Sequence, residues 1–493
     1  MTALELEQSA EPRGVSRVRS LLRRRPLLPA AVACLVSFAA FWVVQRLAGV
    51  TMIDLMVYRA EGWTARNGEP LYDMVATSAH LPNTYPPFAA LLFTPLTLFD
   101  VPLMRTLATA GNLVLLLAVV HLSLRLVGRP RRIPHWAATF ALSALLVWCE
   151  PVWTTLRYGQ INLFIAVLVL WDLTRKDTNR WAGVGIGIAA GIKLTPALFA
   201  VFLAVAGLVR AVQRLRTRPG ARAADRTAGT PAAGPESPHR PAATAGRAPG
   251  GTPPLRARLR AAWNPWLRQS LVATVTFLAT ALLPALALPD DARRFWTEIV
   301  FAADRVGDVW ITANQSLRGA LARLLHAPDP GAAWLVAALV VTVAGMAIAV
   351  AALLRGLRAW AVVACAATAL LISPISWSHH WVWGVPMLIV LGAEALRRGG
   401  PGSLAEGAAG PGGGRRWWAL TAGIALLFCS YALWWVPHRW HQREELAQNA
   451  GQMLLSGVYP IAGLAFLALA ALQVRRAAGT SYEAPATAPR TGA

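Results

Sequence analysis

Residues 333–354 of this 493-residue chain read AWLVAALVVTVAGMAIAVAALL, a run without a single charge. A helix of that length rises about 33 Å, enough to cross the roughly 30 Å hydrocarbon core of a bilayer. Similar runs recur along a chain that is 56% hydrophobic and only 14% charged. They do not alternate between apolar and polar residues as the strands of a membrane barrel do. The sequence therefore predicts an all-α polytopic membrane protein and excludes an ordinary cytosolic enzyme.

The formal net charge of +23 comes from arginine clusters that lie between the apolar segments. Cytoplasmic loops of membrane proteins have this composition, so we interpret the charge as topology and predict no nucleic-acid partner. Placing the clusters on one side gives about 12 transmembrane helices (range 10–13), with both termini in the cytoplasm and membrane lipids as partners. The predicted spans are residues 27–45, 103–127, 134–150, 160–174, 181–192, 196–209, 270–288, 333–354, 360–377, 382–396, 417–436 and 455–473.

Composition also divides the chain into a cytoplasmic tail, a membrane core, a cytoplasmic linker, a C-terminal transmembrane bundle and a second cytoplasmic tail. In that order they cover residues 1–26, 27–209, 210–268, 269–474 and 475–493. The core includes a long outer loop, residues 46–100, whose apolar end is too short for a span and favours a re-entrant or interfacial segment. The Arg-rich linker is predicted to be disordered over about 219–254, which has few large apolar residues.

One apolar stretch, residues 181–209, is interrupted by Lys193 and Pro196. A single crossing here would place the Arg-rich linker outside, against the positive-inside rule. Because proline disfavours helix at the residue before it, we expect two short helices that run out and back. Glycines spaced four residues apart predict close helix packing rather than a dinucleotide site: Gly183, Gly187 and Gly191.

Candidate chemical groups fall on the predicted outer side. Asp54 follows the first span in the apolar stretch TMIDLMVY, which would raise its pKa toward that of a general base. The alternative is a carboxylate that caps an interfacial helix. Lys193 lies at the predicted break, where a cation could hold a lipid phosphate or extend to the interface. His379 and His380 could contact a phosphate or sugar hydroxyl, or belong to an interfacial belt of aromatic residues.

The four cysteines lie far apart in the sequence and mostly inside apolar segments: Cys34, Cys149, Cys365 and Cys429. Their spacing is not that of a metal site, and it implies no disulfide framework. We interpret them as packing residues.

Six motifs follow one another in order: Asp54-Leu55-Met56-Val57-Tyr58, Tyr85-Pro86-Pro87-Phe88, Tyr158-Gly159-Gln160-Ile161-Asn162, Gly191-Ile192-Lys193-Leu194-Thr195-Pro196, Asn314-Gln315-Ser316 and Ser373 to His380. In this set the chain resembles the actinobacterial polyprenol-phosphate-mannose-dependent α-(1→2)-mannosyltransferases, membrane glycosyltransferases of the GT-C class in family 87. The resemblance covers most of the membrane part and excludes residues 219–254 and the C-terminal tail.

The resemblance implies a GT-C fold and a mannose transfer at the outer face of the plasma membrane. The donor would be polyprenyl-phosphate-mannose, the acceptor a hydroxyl of a lipid-anchored glycan or glycolipid, and the product an α-(1→2) linkage formed with inversion. Asp54 matches the catalytic base of such enzymes. The candidates for the donor phosphate are Lys193, His379, His380 and Arg59. The candidates for the sugar or acceptor are Tyr58, Tyr158, Gln160, Asn162, Asn314 and Gln315.

We predict no metal or other cofactor, because the leaving phosphate carries less charge than a pyrophosphate and the outer loop has no Asp-x-Asp pair. Asp54 with Asp73 or Glu150 remains an alternative metal site.

Two other functions stay open. A transporter or flippase for a lipid-linked sugar would also use a broken helix and a buried cation, although no second half of the chain repeats the broken segment. A sister transferase could use another polyprenyl-phosphate sugar, such as arabinose.

Overall fold

The computed structural model describes residues 26–128, 134–224, 262–399, 413–439 and 442–480, together with Arg256. The predicted N-terminal tail before residue 26, most of the predicted linker and the chain beyond residue 480 lie outside the described residues. The first nine helices are α1 (Leu27–Leu47), α2 (Ile53–Asn67), α3 (Pro87–Phe93), α4 (Val101–Val127), α5 (His135–Leu146), α6 (Glu150–Tyr158), α7 (Asn162–Leu173), α8 (Val184–Ile192) and α9 (Ala197–Ala224).

The remaining helices are α10 (Pro265–Ala287), α11 (Pro289–Thr297), α12 (Leu317–Leu324), α13 (Gly331–Leu354), α14 (Arg358–Ile372), α15 (Gly384–Gly399), α16 (Gly413–Cys429), α17 (Ala450–Ser456) and α18 (Val458–Thr480). Short 3-10 turns cover Thr94–Leu98, Ile299–Phe301, Ala303–Val306, Ser378–Trp383, Ala432–Trp434 and Glu444–Ala447. A small antiparallel hairpin pairs β1 (Val75–Ala76) with β2 (Leu81–Pro82), Val75 opposite Pro82 and Ala76 opposite Leu81.

Six helices in the described part are long and apolar enough to cross a bilayer: α1, α4, α9 over Ala197–Arg216, α10, α13 and α18 over Val458–Ala478. The pair α5 and α6, bent by 78° between them, makes a seventh if it is one span. Each predicted span contains a helix, so the helical, polytopic architecture is supported. Some of these helices are short; α7 has 12 residues and rises about 18 Å. The count of about twelve crossings, and their orientation, therefore stay predictions.

Helix α8 packs closely on α10. An added Cβ on Gly183, at the start of α8, would collide with the carbonyl of Gln269, and one on Gly191, at its end, would collide with Thr280. Small residues therefore let the two helices approach, which confirms the packing predicted from their spacing. Because the contacts advance in the same direction on both helices, α8 runs parallel to α10.

Helix α9 runs the opposite way along the same neighbour. Asn264 donates to the carbonyl of Gly207 at 2.9 Å, and Ser270 donates to the carbonyl of Ala200 at 2.8 Å. The chain thus reverses between α8 and α9, where Lys193 has extended backbone angles. The predicted break and reversal of the chain are confirmed, with Lys193 at the tip between the two helices. Helix α9, however, is 28 residues long rather than short, and the path out and back across the membrane stays a prediction.

Helix α9 continues to Ala224, beyond residue 209, where the predicted span ends. The last six residues of α9, 219–224, belong to the stretch predicted to be disordered. The rest of the stretch 219–254 lies outside the described residues.

The outer loop, residues 46–100, folds into α2, the β hairpin, α3 and the 3-10 turn Thr94–Leu98. Its apolar end forms a short helical unit, as predicted, and packs beneath α2, where Gly62 lies directly against the carbonyl of Phe93. Helix α14 is buried along almost its whole length, from Ala359 to Leu371, inside the helix bundle. The loop and the centre of the bundle enclose the candidate site.

Candidate active site

Asp54 lies in the first turn of α2, next to the end of α6. Its Oδ2 accepts a hydrogen bond from Nε2 of Gln160 at 2.7 Å. Gln160 follows Gly159, whose φ of 70° ends α6 and whose position directly against Leu55 leaves no room for a side chain. Helix α2 has no hydrogen bond from a capping side chain, but Asp54 lies in its first turn, where a carboxylate also offsets the helix dipole, so this alternative role stays open.

The surroundings of Asp54 change its acidity. Burial raises the pKa of Asp54 to about 6, while the hydrogen bond from Gln160 and the positive charge of Lys193 lower the pKa in part. At neutral pH such a carboxyl is largely ionised and still accepts a proton readily. The direction of this shift agrees with the rise predicted from the apolar surroundings of Asp54.

Two tyrosines extend the hydrogen bonds that begin at Asp54. Tyr58, one turn further along α2, donates from its hydroxyl to Oε1 of Gln160 at 2.7 Å. The hydroxyl of Tyr85 lies 2.9 Å from that of Tyr58. The ring of Tyr58 stacks on Phe93 with 4.4 Å between ring centroids. The outer loop thus fixes the orientation of Gln160, and through it the orientation of the carboxylate.

Lys193 reaches the same region from the tip between α8 and α9. Its Nζ lies 2.7 Å from Nε2 of His380 and 5.6 Å from the centroid of the Tyr85 ring. The backbone N–H of Trp377 donates to Nδ1 of His380 at 3.1 Å and orients the imidazole toward the lysine. The structure therefore brings together three of the predicted residues, Asp54, Lys193 and His380, from three distant parts of the chain.

His379 is held by its backbone. Its carbonyl accepts hydrogen bonds from Oγ1 of Thr155 at 3.0 Å and from Nδ2 of Asn162 at 3.1 Å. Its ring packs edge-on against Tyr158, with 5.5 Å between centroids. Its Nε2 is buried, and within the described ranges it has no hydrogen-bond partner. His379 is not among the residues that line the cleft next to Lys193.

A narrow cleft opens beside Lys193 and His380. One part of its wall is polar, and the other is apolar. The polar lining residues are Asn162, Lys193, Thr195, Ser373, Ser376 and His380. The apolar ones are Ile165, Pro196, Phe199, Ala366, Ala369, Leu370, Val382 and Trp383. Such a cleft suits an amphipathic ligand with its polar group at Lys193.

The side-chain amides of Asn314 and Gln315 are occupied by hydrogen bonds within the protein. Both are fully buried, and the side chain of Asn314 donates to the carbonyls of Val309 and Pro374 while it accepts from the N–H groups of Ser316 and Ser376. Gln315 donates to the carbonyls of Thr312 and Ser456 and accepts from the N–H of Tyr459. Because these amides are occupied, we assign Asn314 to holding the segment Pro374 to Ser376 and Gln315 to holding Ser456 and Tyr459, rather than to binding sugar.

Arg59 also has structural partners. Its guanidinium donates to the carbonyl of Phe99 at 3.4 Å and lies over the ring of Trp63, 5.9 Å from the centroid. These contacts connect α2 to the end of the outer loop, so they give Arg59 a structural role there.

The alternative metal site has no support in the described ranges, where no group of three or more His, Cys, Asp or Glu residues could hold an ion. Asp73 pairs with Arg294 at 2.7 Å. Glu150 accepts hydrogen bonds from the hydroxyls of Thr154, Ser378 and Tyr459, each at 2.8 Å, and from the indole of Trp434 at 3.1 Å. Metal independence itself stays a prediction.

Two residues at the site were absent from the predicted set. Tyr85 begins the motif Tyr85-Pro86-Pro87-Phe88, and the structure adds its hydroxyl to the hydrogen bonds that begin at Asp54. Glu61 lies two helical turns after Asp54 on α2 and is fully buried, with neither carboxyl oxygen partnered among the described residues. Burial and the charge of Asp54 raise the pKa of Glu61 well above its usual range. The seven-residue spacing from Asp54, which keeps one helix face, was the signal that could have found it.

The sequence model of glycosyltransferase family 87 matches residues 83–215 and 259–374. A polyprenol-phosphate-mannose-dependent α-(1-2)-phosphatidylinositol pentamannoside mannosyltransferase of Mycobacterium tuberculosis is 31% identical over 81% of this chain and 79% of its own length. A second relative, the Mycolicibacterium smegmatis protein of the same name, is 32% identical over 88% of this chain and 90% of its own.

A third relative, a polyprenol-phosphate-mannose-dependent α-(1-2)-phosphatidylinositol mannoside mannosyltransferase of Mycobacterium tuberculosis, is 29% identical over 74% of this chain and 76% of its own length. No solved structure is significantly similar to the chain. The family match spans the motifs from Tyr85 to Pro374, and the relatives span most of the chain. The chain therefore belongs to glycosyltransferase family 87 and is a glycosyltransferase.

Proposed function

We propose that this glycosyltransferase moves mannose from polyprenyl-phosphate-mannose to a hydroxyl of a lipid-anchored glycan or glycolipid, with inversion and an α-(1→2) linkage. The observation that carries the proposal is the meeting of a partly buried carboxylate, Asp54, with the pair Lys193 and His380 beside an amphipathic cleft. The names of the relatives support polyprenol-phosphate-mannose as the donor and a phosphatidylinositol mannoside as the acceptor class.

The chemistry needs one base and one place for the leaving phosphate. The acceptor hydroxyl gives its proton to the carboxylate of Asp54, and its oxygen attacks the anomeric carbon of the donor mannose. The bond between that carbon and the phosphate oxygen breaks on the opposite face, so the configuration inverts. The departing polyprenyl phosphate gains charge, which Lys193 and His380 stabilise.

The lining of the cleft supports placing the donor lipid there. Its polar end, at Lys193 and His380, suits the phosphate. Its apolar wall, which includes Phe199 and Leu370, suits the first isoprenoid units of the polyprenyl chain. The assignment of His379 to the phosphate stays a prediction, because its unpartnered Nε2 does not line this cleft.

Gln160 both orients Asp54 and lies within reach of a sugar bound there, together with Tyr58 and Tyr158. Asn162 borders the cleft and also supports the carbonyl of His379. We assign these four side chains to the sugar or acceptor. Asn314, which the sequence placed in this group, supports it indirectly through Ser376, whereas Gln315, placed there as well, bonds Tyr459 at the start of α18.

The proposal includes a GT-C fold in the plasma membrane, with both termini in the cytoplasm and the site at the outer face. The arginine clusters support this orientation. At the outer face cytosolic nucleotide-sugars are absent, which supports a lipid-borne donor.

The test uses the purified protein in lipid nanodiscs with polyprenyl-phosphate-mannose and a set of phosphatidylinositol mannosides. We expect a product one mannose larger, with the new α-(1→2) linkage resolved by NMR, and an unchanged rate with excess EDTA. A loss of activity with EDTA would contradict metal independence. Transfer from polyprenyl-phosphate-arabinose alone would favour the sister transferase. In proteoliposomes, movement of the lipid-linked sugar across the bilayer without any product would favour the flippase.

A further inference from the structure

Cys149 and Cys429 are 280 residues apart in the chain, yet their sulfur atoms lie 3.0 Å apart. That distance is about 1 Å longer than a disulfide bond. Cys149 directly precedes α6, and Cys429 is the last residue of α16. The sequence suggested two separate packing residues, whereas the fold forms them into a pair.

Neighbouring residues hold the two cysteines in register. The hydroxyl of Tyr431, two residues after Cys429, donates to the carbonyl of Trp148, directly before Cys149, at 3.2 Å. The indole of Trp434 donates to Glu150, directly after Cys149, at 3.1 Å. The chain on each side of Cys149 is therefore bonded to the segment that follows Cys429, so the pairing of the sulfurs does not depend on one flexible contact.

The two thiols differ in accessibility. Cys429 is exposed on the protein surface, whereas Cys149 is buried with 2% of its surface exposed. Because Cys429 lies in the predicted span 417–436, its exposed surface faces the membrane, so a small membrane-permeant reagent meets Cys429 first, and Cys149 is the thiol placed to react next. The other two cysteines, Cys34 and Cys365, are both buried.

We infer that Cys149 and Cys429 are a redox modification site, which closes to an intramolecular disulfide when the protein meets an external disulfide. The thiolate of Cys429 attacks that reagent, forms a mixed disulfide and releases one external thiol. The thiolate of Cys149 then attacks Sγ of Cys429 and releases the second external thiol. In sum, two protein thiols are oxidised and one external disulfide is reduced to two thiols.

Closure of this disulfide ties the start of α6 to the end of α16. Helix α6 carries Thr155, which donates to the carbonyl of His379, and it ends next to Gln160, which orients Asp54. The disulfide would therefore stabilise the helix that holds these site residues in place. A crosslink that closes so long a loop restricts the unfolded chain. We expect the oxidised protein to have a Tm several degrees above that of the reduced protein.

The first experiment treats full-length, detergent-purified protein carrying Cys34→Ala and Cys365→Ala with 4,4′-dithiodipyridine, a small permeant disulfide. The pair should release two thiopyridones per protein and retain no pyridyl group in the intact mass. With Cys149→Ser added, one thiopyridone should be released and one pyridyl group retained. Retention of the pyridyl group on Cys429 while Cys149 is present would overturn the inference.

A second experiment keeps all four native cysteines, in case the double alanine variant folds poorly. A protease site inserted between residues 240 and 241 separates Cys149 from Cys429 after cleavage. Oxidised, cleaved protein should run as one band on a non-reducing gel and as two bands after reduction. Two bands without reductant, as expected for the Cys429→Ser control, would also overturn the inference. Neither readout depends on the proposed sugar transfer.

Discussion

Replacing Asp54 with asparagine removes the proposed base and keeps its shape. With a pKa of about 6 for Asp54, about 90% of the carboxyl is ionised at pH 7. Oδ1 of an asparagine can still accept the hydrogen bond from Nε2 of Gln160, so the position of the side chain is preserved. A positioned general base contributes about 10²–10⁴ in rate, or about 3 to 5 kcal/mol of barrier. We expect kcat of Asp54→Asn to fall by that factor.

The assay measures initial rates of mannolipid formation with both substrates varied. Because the substitution removes a group that acts in the transition state, we expect the donor KM to change by less than about threefold. The wild-type rate should rise with pH through about 6, as the Asp54 carboxyl, whose pKa lies there, loses its proton, and this acid limb should vanish in Asp54→Asn. Asp73→Asn is the matched control, since Asp73 pairs with Arg294 at the protein surface.

Two results would refute this reasoning. One is a rate of Asp54→Asn within about tenfold of wild type, since a catalytic base contributes more than that. The other is an acid limb that persists in the variant, which would assign the limb to another group. Asp73→Asn should retain the wild-type rate and pH profile.

Three further predictions concern the neighbours of Asp54. Lys193→Met should raise the donor KM at least about tenfold, because a hydrogen bond to a charged group is lost. Lys176→Met is the control: it changes the other lysine of the chain, which is exposed, and should leave the donor KM unchanged. An unchanged donor KM in Lys193→Met would contradict the phosphate contact. Gln160→Leu should move the acid limb to higher pH, because the hydrogen bond that lowers the pKa of Asp54 is removed, and an unmoved limb would exclude that role. Glu150→Gln should lower the Tm by several degrees in a thermal shift assay, because a buried acceptor of four hydrogen bonds becomes partly a donor; an unchanged Tm would show that these bonds contribute little.

The architecture could largely be predicted, because apolar length and arginine clusters are local properties of the sequence. The reversal at Lys193 followed from one proline and from the charge of the distant linker. Asp54 could be singled out because it follows the first span in an apolar stretch. Its partner Gln160 could not be assigned, because their contact depends on the packing of Gly159 against Leu55.

Amide side chains were the least predictable part of the site. The sequence shows that Asn314 and Gln315 can donate and accept hydrogen bonds, but it does not show which partners occupy them. Their partners come from residues as distant as Ser456 and Tyr459. The same limit applies to Cys149 and Cys429, whose proximity depends on how α6 and α16 pack.

The nine residues of α6 have a consequence for how this chain can vary. One end of the helix is anchored at Glu150, and the other leads through Gly159 to the amide that orients Asp54. An inserted or deleted residue would turn one end relative to the other by about 100° and shift it by about 1.5 Å. Natural relatives should therefore keep the length between Glu150 and Gln160 unchanged even where neighbouring loops differ in size.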